Sequence, residues 1–173
     1  MGAVGVRLLS IDPGTTHSAY VLLDSLENTV LEKGIVNNHV MLEALSKRYW
    51  ADRCVVEMVA SYGMAVGKDV FETVVWIGRF IERWNTNMSV SHPAERLYRK
   101  EVKLHLCNSL RANDSNIRQA LLDLYPATGG GKTPQVGTKS QPGPLYGFKR
   151  DLYAALGVAV TYLEARCASQ TSS

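Results

Sequence analysis

Cysteine is scarce in this chain of 173 residues, which has only three: Cys54, Cys107 and Cys167. None belongs to a Cys-x-x-Cys pair or lies beside a histidine, so we expect neither a zinc site nor a disulfide framework. Three buried thiols are the simplest interpretation. A chain of this length buries roughly 70% of its unfolded surface, and it therefore needs no cross-link to fold.

Long apolar runs are also missing, because no segment reaches the ~18 residues that span a bilayer. The start of the chain, Met1 to Leu9, has no basic region, long apolar segment or cleavage site of a signal peptide. With 46% hydrophobic and 20% charged residues the composition is that of an ordinary globular protein. We expect one domain over residues 1–173, a cytoplasmic location and no membrane partner.

Acidic residues are absent from one stretch, although the net charge of the whole chain is only +3. Residues 126–150 contain no Asp or Glu and four cations: Lys132, Lys139, Lys149 and Arg150. Three more cations, Arg99, Lys100 and Lys103, share one face of a predicted helix. Such groups suit sequence-independent contacts with nucleic-acid phosphates. A solvated surface is the alternative for each of them.

Hydrophobic patterning predicts the order of the elements. Strands at 6–12, 19–23 and 29–36 form an antiparallel meander, because their connections are too short for parallel crossovers. A helix over 39–50 then leads to a strand at 54–57, which should pair in parallel near the first strand. The remaining predictions are a helix over 70–84, a strand at 88–90 and helices over 95–108, 114–124 and 149–165. Residues 126–147 are predicted to be a flexible basic loop, and 167–173 a frayed tail.

This order predicts an α/β fold with a five-stranded mixed sheet, made of the meander and two parallel strands, and helices on both faces. The long helix has a wide apolar face that we assign to the core, although part of it could form a dimer seam. Its members are Phe71, Val74, Val75, Gly78, Ile81 and Trp84.

Carboxylates stand where two core strands end. Asp12 follows Ile11 at the end of the first strand, and Glu57 follows Val56 at the end of the fourth. Parallel neighbours lie about 4.8 Å apart, so the two side chains could share a cation. Asp151 opens the last helix and could add a third carboxylate at the same edge, a set of hard ligands suited to Mg²⁺.

Each acid also has a purely structural interpretation: Asp12 as a turn former, Glu57 as an ordinary strand end and Asp151 as a helix cap. On the loop after Glu57, Lys68 could hold a phosphate, and Tyr62 could stack on an unpaired base. Tyr62 could equally be an ordinary loop aromatic.

At this point a family resemblance becomes visible. The chain resembles the RuvC-type Holliday junction resolvases, particularly the bacteriophage-encoded branch, within the RNase H-like nuclease superfamily. The resemblance covers nearly the whole chain. It rests on Ile11-Asp12-Pro13-Gly14-Thr15-Thr16, on Val55-Val56-Glu57, on the segment from Asp151 to Ala159, on Gly67-Lys68 and on the run from Pro142 to Gly147.

The resemblance implies a crossover junction endodeoxyribonuclease that acts as a homodimer on four-way DNA junctions, with forks and flaps as further substrates. It also implies Mg²⁺, with Mn²⁺ as a substitute, and paired nicks by two-metal hydrolysis. For a phage-encoded chain, the location is the bacterial host cytoplasm. Asp12, Glu57 and Asp151 match the family's metal-binding acids. The family also places an aromatic wedge near the position of Tyr62, but at a different offset. Cellular members carry a fourth acid or a histidine where this chain has Ala154, so the source of a fourth ligand stays open.

Other functions remain to be weighed. The Asp-Pro-Gly-Thr-Thr turn also resembles the first phosphate loop of the actin and heat-shock chaperone ATPases, but those need two such domains to enclose ATP. Gly131-Lys132-Thr133 ends like a P-loop, yet that motif requires glycine where Pro126 stands, so we expect no nucleotide cofactor. A non-catalytic junction-binding protein and an RNA-processing nuclease of the same fold are the remaining alternatives.

Overall fold

The computed structural model of the protein describes residues 5–47, 51–87 and 91–167. Five strands are present in that part of the chain: β1 (Arg7–Asp12), β2 (His17–Asp24), β3 (Thr29–Asn37), β4 (Arg53–Met58) and β5 (Glu95–Tyr98). The helices are α1 (Asn38–Lys47), α2 (Lys68–Asn85), α3 (Arg99–Cys107), α4 (Asp114–Asp123) and α5 (Arg150–Tyr162). A short π-helical segment, Leu163–Cys167, continues α5.

The strands form one mixed sheet in the order β3-β2-β1-β4-β5. β1, β2 and β3 are antiparallel neighbours, whereas β4 is parallel to β1 and β5 is parallel to β4. The predicted meander with two added parallel strands is therefore confirmed. The helical crossover through α1 brings β4 beside β1, as the spacing of the segments requires.

Both faces of the sheet are covered, which explains why the central strands are almost wholly apolar. One core cluster lies between the sheet and α3, α4 and α5. The other lies between the sheet and α1 and α2. Within β1, Leu8 belongs to the first cluster and Leu9 to the second, in keeping with the two-residue alternation of a strand.

The fifth strand is not where the sequence pattern predicted it. The predicted strand at 88–90 lies outside the described residues, and Glu95–Tyr98, predicted as the start of a helix, forms β5. Long-range pairing decides this, because Leu97 pairs with Glu57 and is buried. The helix begins only at Arg99, where the side chain of Glu101 accepts the Tyr98 N–H at 2.8 Å.

Only part of the predicted core face of α2 is buried: Trp84 is buried and Ile81 packs against the core, as predicted, whereas the other members are exposed. The buried residues of α2 are Thr73, Ile77, Phe80 and Trp84. Phe71 and Val75, predicted to be core, have exposed fractions of 61% and 57%. The apolar face of α2 is wider than the surface that the sheet and α1 cover, so one edge of it faces outward.

The glycine-rich segment 126–147 holds itself together by backbone hydrogen bonds. Gly129 N–H donates to Pro134 O at 2.8 Å, and Gly143 N–H donates to Val136 O at 2.9 Å. A methyl group on Gly143 would lie 2.3 Å from Pro134 O, so the two backbones meet where only glycine fits. Leu145 anchors the segment in the core. Its predicted flexibility stays a prediction, and most of the predicted frayed tail lies outside the described residues.

Two further expectations concern cysteine and membranes. Cys54 is buried, and burial raises the pKa of its thiol; Cys107 is only partly buried, and both are free thiols. The structure does not describe the side chain of Cys167. Among the described helices, none combines the length and the apolar character that a bilayer crossing needs.

Candidate active site

Strand register brings two acids to one edge of the sheet. Ile11 of β1 pairs with Val56 of β4, and Asp12 and Glu57 each follow by one residue. Because side chains alternate along a strand, both acids lie on the face covered by α3, α4 and α5. Their carboxyl groups lie within hydrogen-bonding reach of one another.

The turn after Asp12 is held by polar groups from β2 and α1. Asn38 is fully buried; its Nδ2 donates to Gly14 O at 2.9 Å, and its Oδ1 accepts the Ser18 hydroxyl at 2.7 Å. A Cβ at Gly14 would lie 2.4 Å from the carbonyl oxygen of His17, so the turn requires glycine. These contacts hold the carboxylate of Asp12 against the sheet edge.

The acid pair retains a proton at neutral pH. Burial, reinforced by the charge of Glu57 and the hydrogen bond with it, raises the pKa of Asp12 from 3.8 to about 8. Burial also raises the pKa of Glu57, although Arg99 and the hydrogen bond from Asp12 work in the opposite direction. The two carboxyl groups therefore share a proton, and a cation that binds both must displace it.

Asp151 lies on the same cavity as the pair but is not part of it. It is the second residue of α5, its side chain is exposed, and its charge adds the smallest contribution to the raised pKa of Asp12. The Ser10 hydroxyl donates to Ala155 O at 2.7 Å, which fastens α5 to β1. Within the three described ranges, no three His, Cys, Asp or Glu side chains are grouped closely enough to hold one metal ion. Coordination by all three acids stays a prediction.

The cavity has a volume of about 810 Å³, which is enough for a nucleotide-sized group. Acids and cations share its wall with three aromatic side chains. The charged members are Asp12, Glu57, Asp114, Asp151, Arg99, Arg118, Lys149 and Arg150, and the aromatic ones are Tyr62, Phe148 and Tyr153. The first turns of α3, α4 and α5 all reach this wall, so their helix dipoles add positive potential.

A carboxylate bridges two of the arginines. Asp114 Oδ1 accepts from Arg99 Nη2 at 2.6 Å, and its Oδ2 accepts from Arg150 at 2.7 and 3.1 Å. Arg99 also approaches Glu57, with its Nη1 3.7 Å from Oε1. The hydrogen bond from Arg99 is the main reason why the pKa of Asp114 is lowered. Arg99 thus links the acid pair to a second, cationic part of the cavity.

The predicted DNA-contacting residues fall into three groups. Tyr62, Arg99, Lys149 and Arg150 lie on the cavity wall. Lys100 stands beside it, with Nζ 5.7 Å from the centroid of the Tyr62 ring. The others lie off the wall: Lys68, Lys103, Lys132 and Lys139.

Sequence patterns missed two charged residues of the wall. Asp114 belongs to no motif of the sequence, and the N-cap of α4 is its neighbour Asn113, which accepts the N–H of Asn116 at 3.0 Å. Arg118, one helical turn after Asp114, was not singled out. The i, i+4 spacing of this acid and base on one helix was the available signal.

The donor set partly fits a divalent cation. A divalent cation would stabilise the ionised forms of the two adjacent carboxyl groups, and the charge of Asp151 lies near enough to affect Asp12. Ala154 also lines the cavity, and its methyl side chain offers no ligand atom. Asp114 is a further acid on this wall, but both of its oxygens are engaged by arginines.

No protein-family model matches the chain, and no curated protein matches it in sequence. Solved structures do match. A structure of RuvC from Thermus thermophilus has a TM-score of 0.63 and 16% sequence identity, covering 94% of this chain and 97% of that one.

The same Thermus thermophilus protein in complex with a Holliday junction substrate has a TM-score of 0.64 and 17% identity, covering 94% and 96% of the two chains. The yeast mitochondrial Holliday junction resolvase has a TM-score of 0.55 and 12% identity, covering 91% of this chain and 79% of that one. The described chain therefore has the RuvC-type, RNase H-like fold that the sequence motifs predicted.

Proposed function

We propose that the protein is a metal-dependent endonuclease that resolves four-way DNA junctions and related branched DNA. The single observation that carries this proposal is the adjacent pair of Asp12 and Glu57 at the parallel strand ends, inside a cavity with four cations on its wall. The RuvC-type fold, with a neighbour solved on a Holliday junction, supports the same substrate. Metal-dependent phosphodiester hydrolysis uses acids that bind the metal and groups that position the phosphate.

Mg²⁺, with Mn²⁺ as a substitute, is the proposed cofactor. Asp12 and Glu57 would hold it, with Asp151 as a third ligand from α5. When bound, such ions supply an activated water and stabilise the leaving oxygen, which is the two-metal chemistry proposed for this site. The chain's own residues release the proton shared by Asp12 and Glu57 and keep both carboxylates at the sheet edge.

The cations of the wall would bind the DNA backbone. Arg99 lies between the acid pair and Asp114, where it can meet a phosphate beside the scissile bond. Lys149 and Arg150, at the start of α5, extend the cationic surface outward. Lys68, Lys103, Lys132 and Lys139 are proposed as peripheral phosphate contacts, because they lie off the cavity wall.

Tyr62 is proposed to recognise the branch point. Its side chain is 55% exposed at the cavity rim, and its backbone has a φ of 45°, which non-glycine residues rarely adopt. Such backbone strain is found at functional positions. An exposed ring held there could stack on an unpaired base, which a branched substrate offers and a duplex does not.

The exposed edge of α2 supports the proposed homodimer. Phe71, Val74 and Val75 are exposed together there, and a Cβ on Gly78 would touch nothing within 4 Å. An apolar patch on a helix suits a self-complementary interface between two copies. A dimer supplies the two active sites that paired nicks require. Its place of action would be the cytoplasm, that of a bacterial host if the chain is phage-encoded.

Cleavage of a panel of labelled DNAs tests the proposal. The panel comprises a four-way junction, a fork, a flap and a linear duplex, each with Mg²⁺ and with EDTA. We expect Mg²⁺-dependent nicking of the branched DNAs, at least tenfold faster than of the duplex. Asp12→Asn should bind the junction and not cut it, and Asp123→Asn, which removes an exposed acid from the far end of α4, should cut normally.

Several results would contradict the proposal. Cutting by Asp12→Asn at the wild-type rate would remove the acid pair from the chemistry. Junction binding without cutting by the wild type, in Mg²⁺ or Mn²⁺, would favour a non-catalytic junction-binding protein. Faster cutting of a matched RNA panel would favour an RNA-processing nuclease.

A further inference from the structure

Two arginines stand where helix electrostatics disfavours them. Arg99 is the first residue of α3 and Arg150 the first residue of α5, and each is accompanied by a lysine, Lys100 and Lys149 respectively. The first turn of a helix carries a partial positive charge, so cations there are repelled and anions are favoured. The side chains of both arginines are instead held by a carboxylate from a third helix.

Asp114 holds this pair in the geometry that an oxyanion would take. One of its oxygens accepts from Arg99 and the other from Arg150, so the carboxylate lies between two guanidinium groups. Arginine forks bind carboxylate and phosphate oxygens in the same way. Asp114 is not needed to cap α4, because Asn113 does so.

Hydrogen-bond donors remain unused beside this bridge. Arg99 Nη1 is buried and faces Glu57 Oε1 at 3.7 Å, but it makes no hydrogen bond within the described structure. Tyr153 is only 7% exposed, and its buried hydroxyl likewise has no partner among the described groups. The Arg118 guanidinium lies 5.3 Å from the centre of the Tyr153 ring. A single carboxylate therefore leaves part of the donor capacity of this region unsatisfied, and a phosphate has more acceptor oxygens.

We propose that Arg99 and Arg150 form a phosphate subsite beside the acid pair. In the free protein Asp114 occupies this subsite in place of a DNA backbone phosphate, and bound DNA must displace it. This inference rests on the proposed function, since it assigns the subsite to a nucleic-acid substrate. Asp114 then sets the affinity of the free protein for DNA. Only a substrate that delivers a phosphate between the two arginines gains their full interaction.

Removing the charge of Asp114 tests the subsite directly. Asp114→Asn keeps the size of the side chain and frees both arginines. Dissociation constants for junction and duplex DNA are measured in EDTA over a series of salt concentrations, so that cleavage plays no part. One additional uncompensated cation should steepen the slope of log K against log salt by about 0.9, which corresponds to about eightfold tighter binding near 0.1 M salt.

Two comparisons separate a local subsite from a general charge effect. Asp123→Asn makes the same change in net charge on the same helix and should leave affinity and salt slope close to wild type. In an Arg99→Gln/Arg150→Gln background, Asp114→Asn should no longer tighten binding. The Arg150 side chain is 83% exposed, and Arg150→Gln alone should make the slope shallower by about one.

Each outcome bears on the inference. A folded Asp114→Asn variant with wild-type or weaker affinity overturns it, as does tightening that persists without the two arginines. Weaker Mn²⁺ binding with unchanged DNA affinity would instead make Asp114 a metal ligand and would also overturn it. If the wild type cuts junctions and Asp114→Asn does not bind DNA more tightly, only this inference fails. If Asp114→Asn binds DNA more tightly and the wild type never cuts, the subsite stands and the nuclease proposal fails.

Discussion

The buried acid pair predicts that the metal-free protein becomes less stable as the pH rises through neutrality. Asp12 has a pKa of about 8 in the folded protein and 3.8 when unperturbed. Between these values the folded protein holds a proton that the unfolded chain has released. Raising the pH therefore favours unfolding, and the effect ends above the folded pKa.

The magnitude follows from the proton difference. One proton changes the free energy of unfolding by about 1.4 kcal/mol per pH unit. Between about pH 5.5 and about pH 7.5, this carboxyl group should cost about 2.5 kcal/mol of stability. In a domain of this size that corresponds to a fall in Tm of about 5–10 °C. Asp12→Asn cannot ionise, so it should lack this part of the pH dependence and exceed the wild type in Tm at about pH 7.5.

Thermal unfolding followed by circular dichroism in EDTA checks this prediction. Asp123→Asn serves as the matched control, because it removes an exposed carboxylate and should keep the wild-type pH profile. Mg²⁺ should raise the Tm of the wild type more at higher pH, because a cation replaces the proton, and should have much less effect on Asp12→Asn. Identical pH profiles for the wild type and Asp12→Asn would refute the argument that this acid is buried beside another.

Three further predictions address other parts of the molecule. Tyr62→Ala should weaken binding to a four-way junction about tenfold and leave duplex binding unchanged in a fluorescence-anisotropy titration, since it removes about 1–3 kcal/mol of stacking; equal losses on both DNAs would argue against base stacking. Phe71→Glu should convert the proposed dimer into a monomer in analytical ultracentrifugation. It should lower the free energy of unfolding by no more than about 1 kcal/mol, because the side chain is 61% exposed. An unchanged mass would remove this face from the interface. Gly143→Ala should destabilise the protein by about 1–3 kcal/mol in chemical denaturation, because its methyl group would lie 2.3 Å from Pro134 O. Gly67→Ala is the control, because a Cβ there would have nothing within 4 Å. Equal effects of the two substitutions would contradict the close backbone approach.

The pattern of apolar residues predicted most of the sheet, because the signals for its long strands lie within short segments of the sequence. The alternating and continuous apolar runs of β1, β2 and β4, together with short connections and one helical crossover, leave few topologies open. β5 escaped prediction, since four residues carry little periodic signal and Leu97 is held by pairing with a distant strand. The core side of α2 was predicted correctly only for Ile81 and Trp84, because a wide apolar face does not reveal which part of it the sheet will cover.

The candidate site, too, could be predicted from the sequence only in part. By itself the sequence determined that Asp12 and Glu57 end neighbouring parallel strands, because strand register follows from pattern and connection length. Only the tertiary structure decided where Arg99 lies. It is the first residue of α3, and Asp114 bridges its side chain to that of Arg150. Those three residues begin three different helices, and nothing in a linear pattern specifies where helix ends converge. Packing of α3, α4 and α5 over one face of the sheet sets that arrangement, through contacts between residues far apart in the chain.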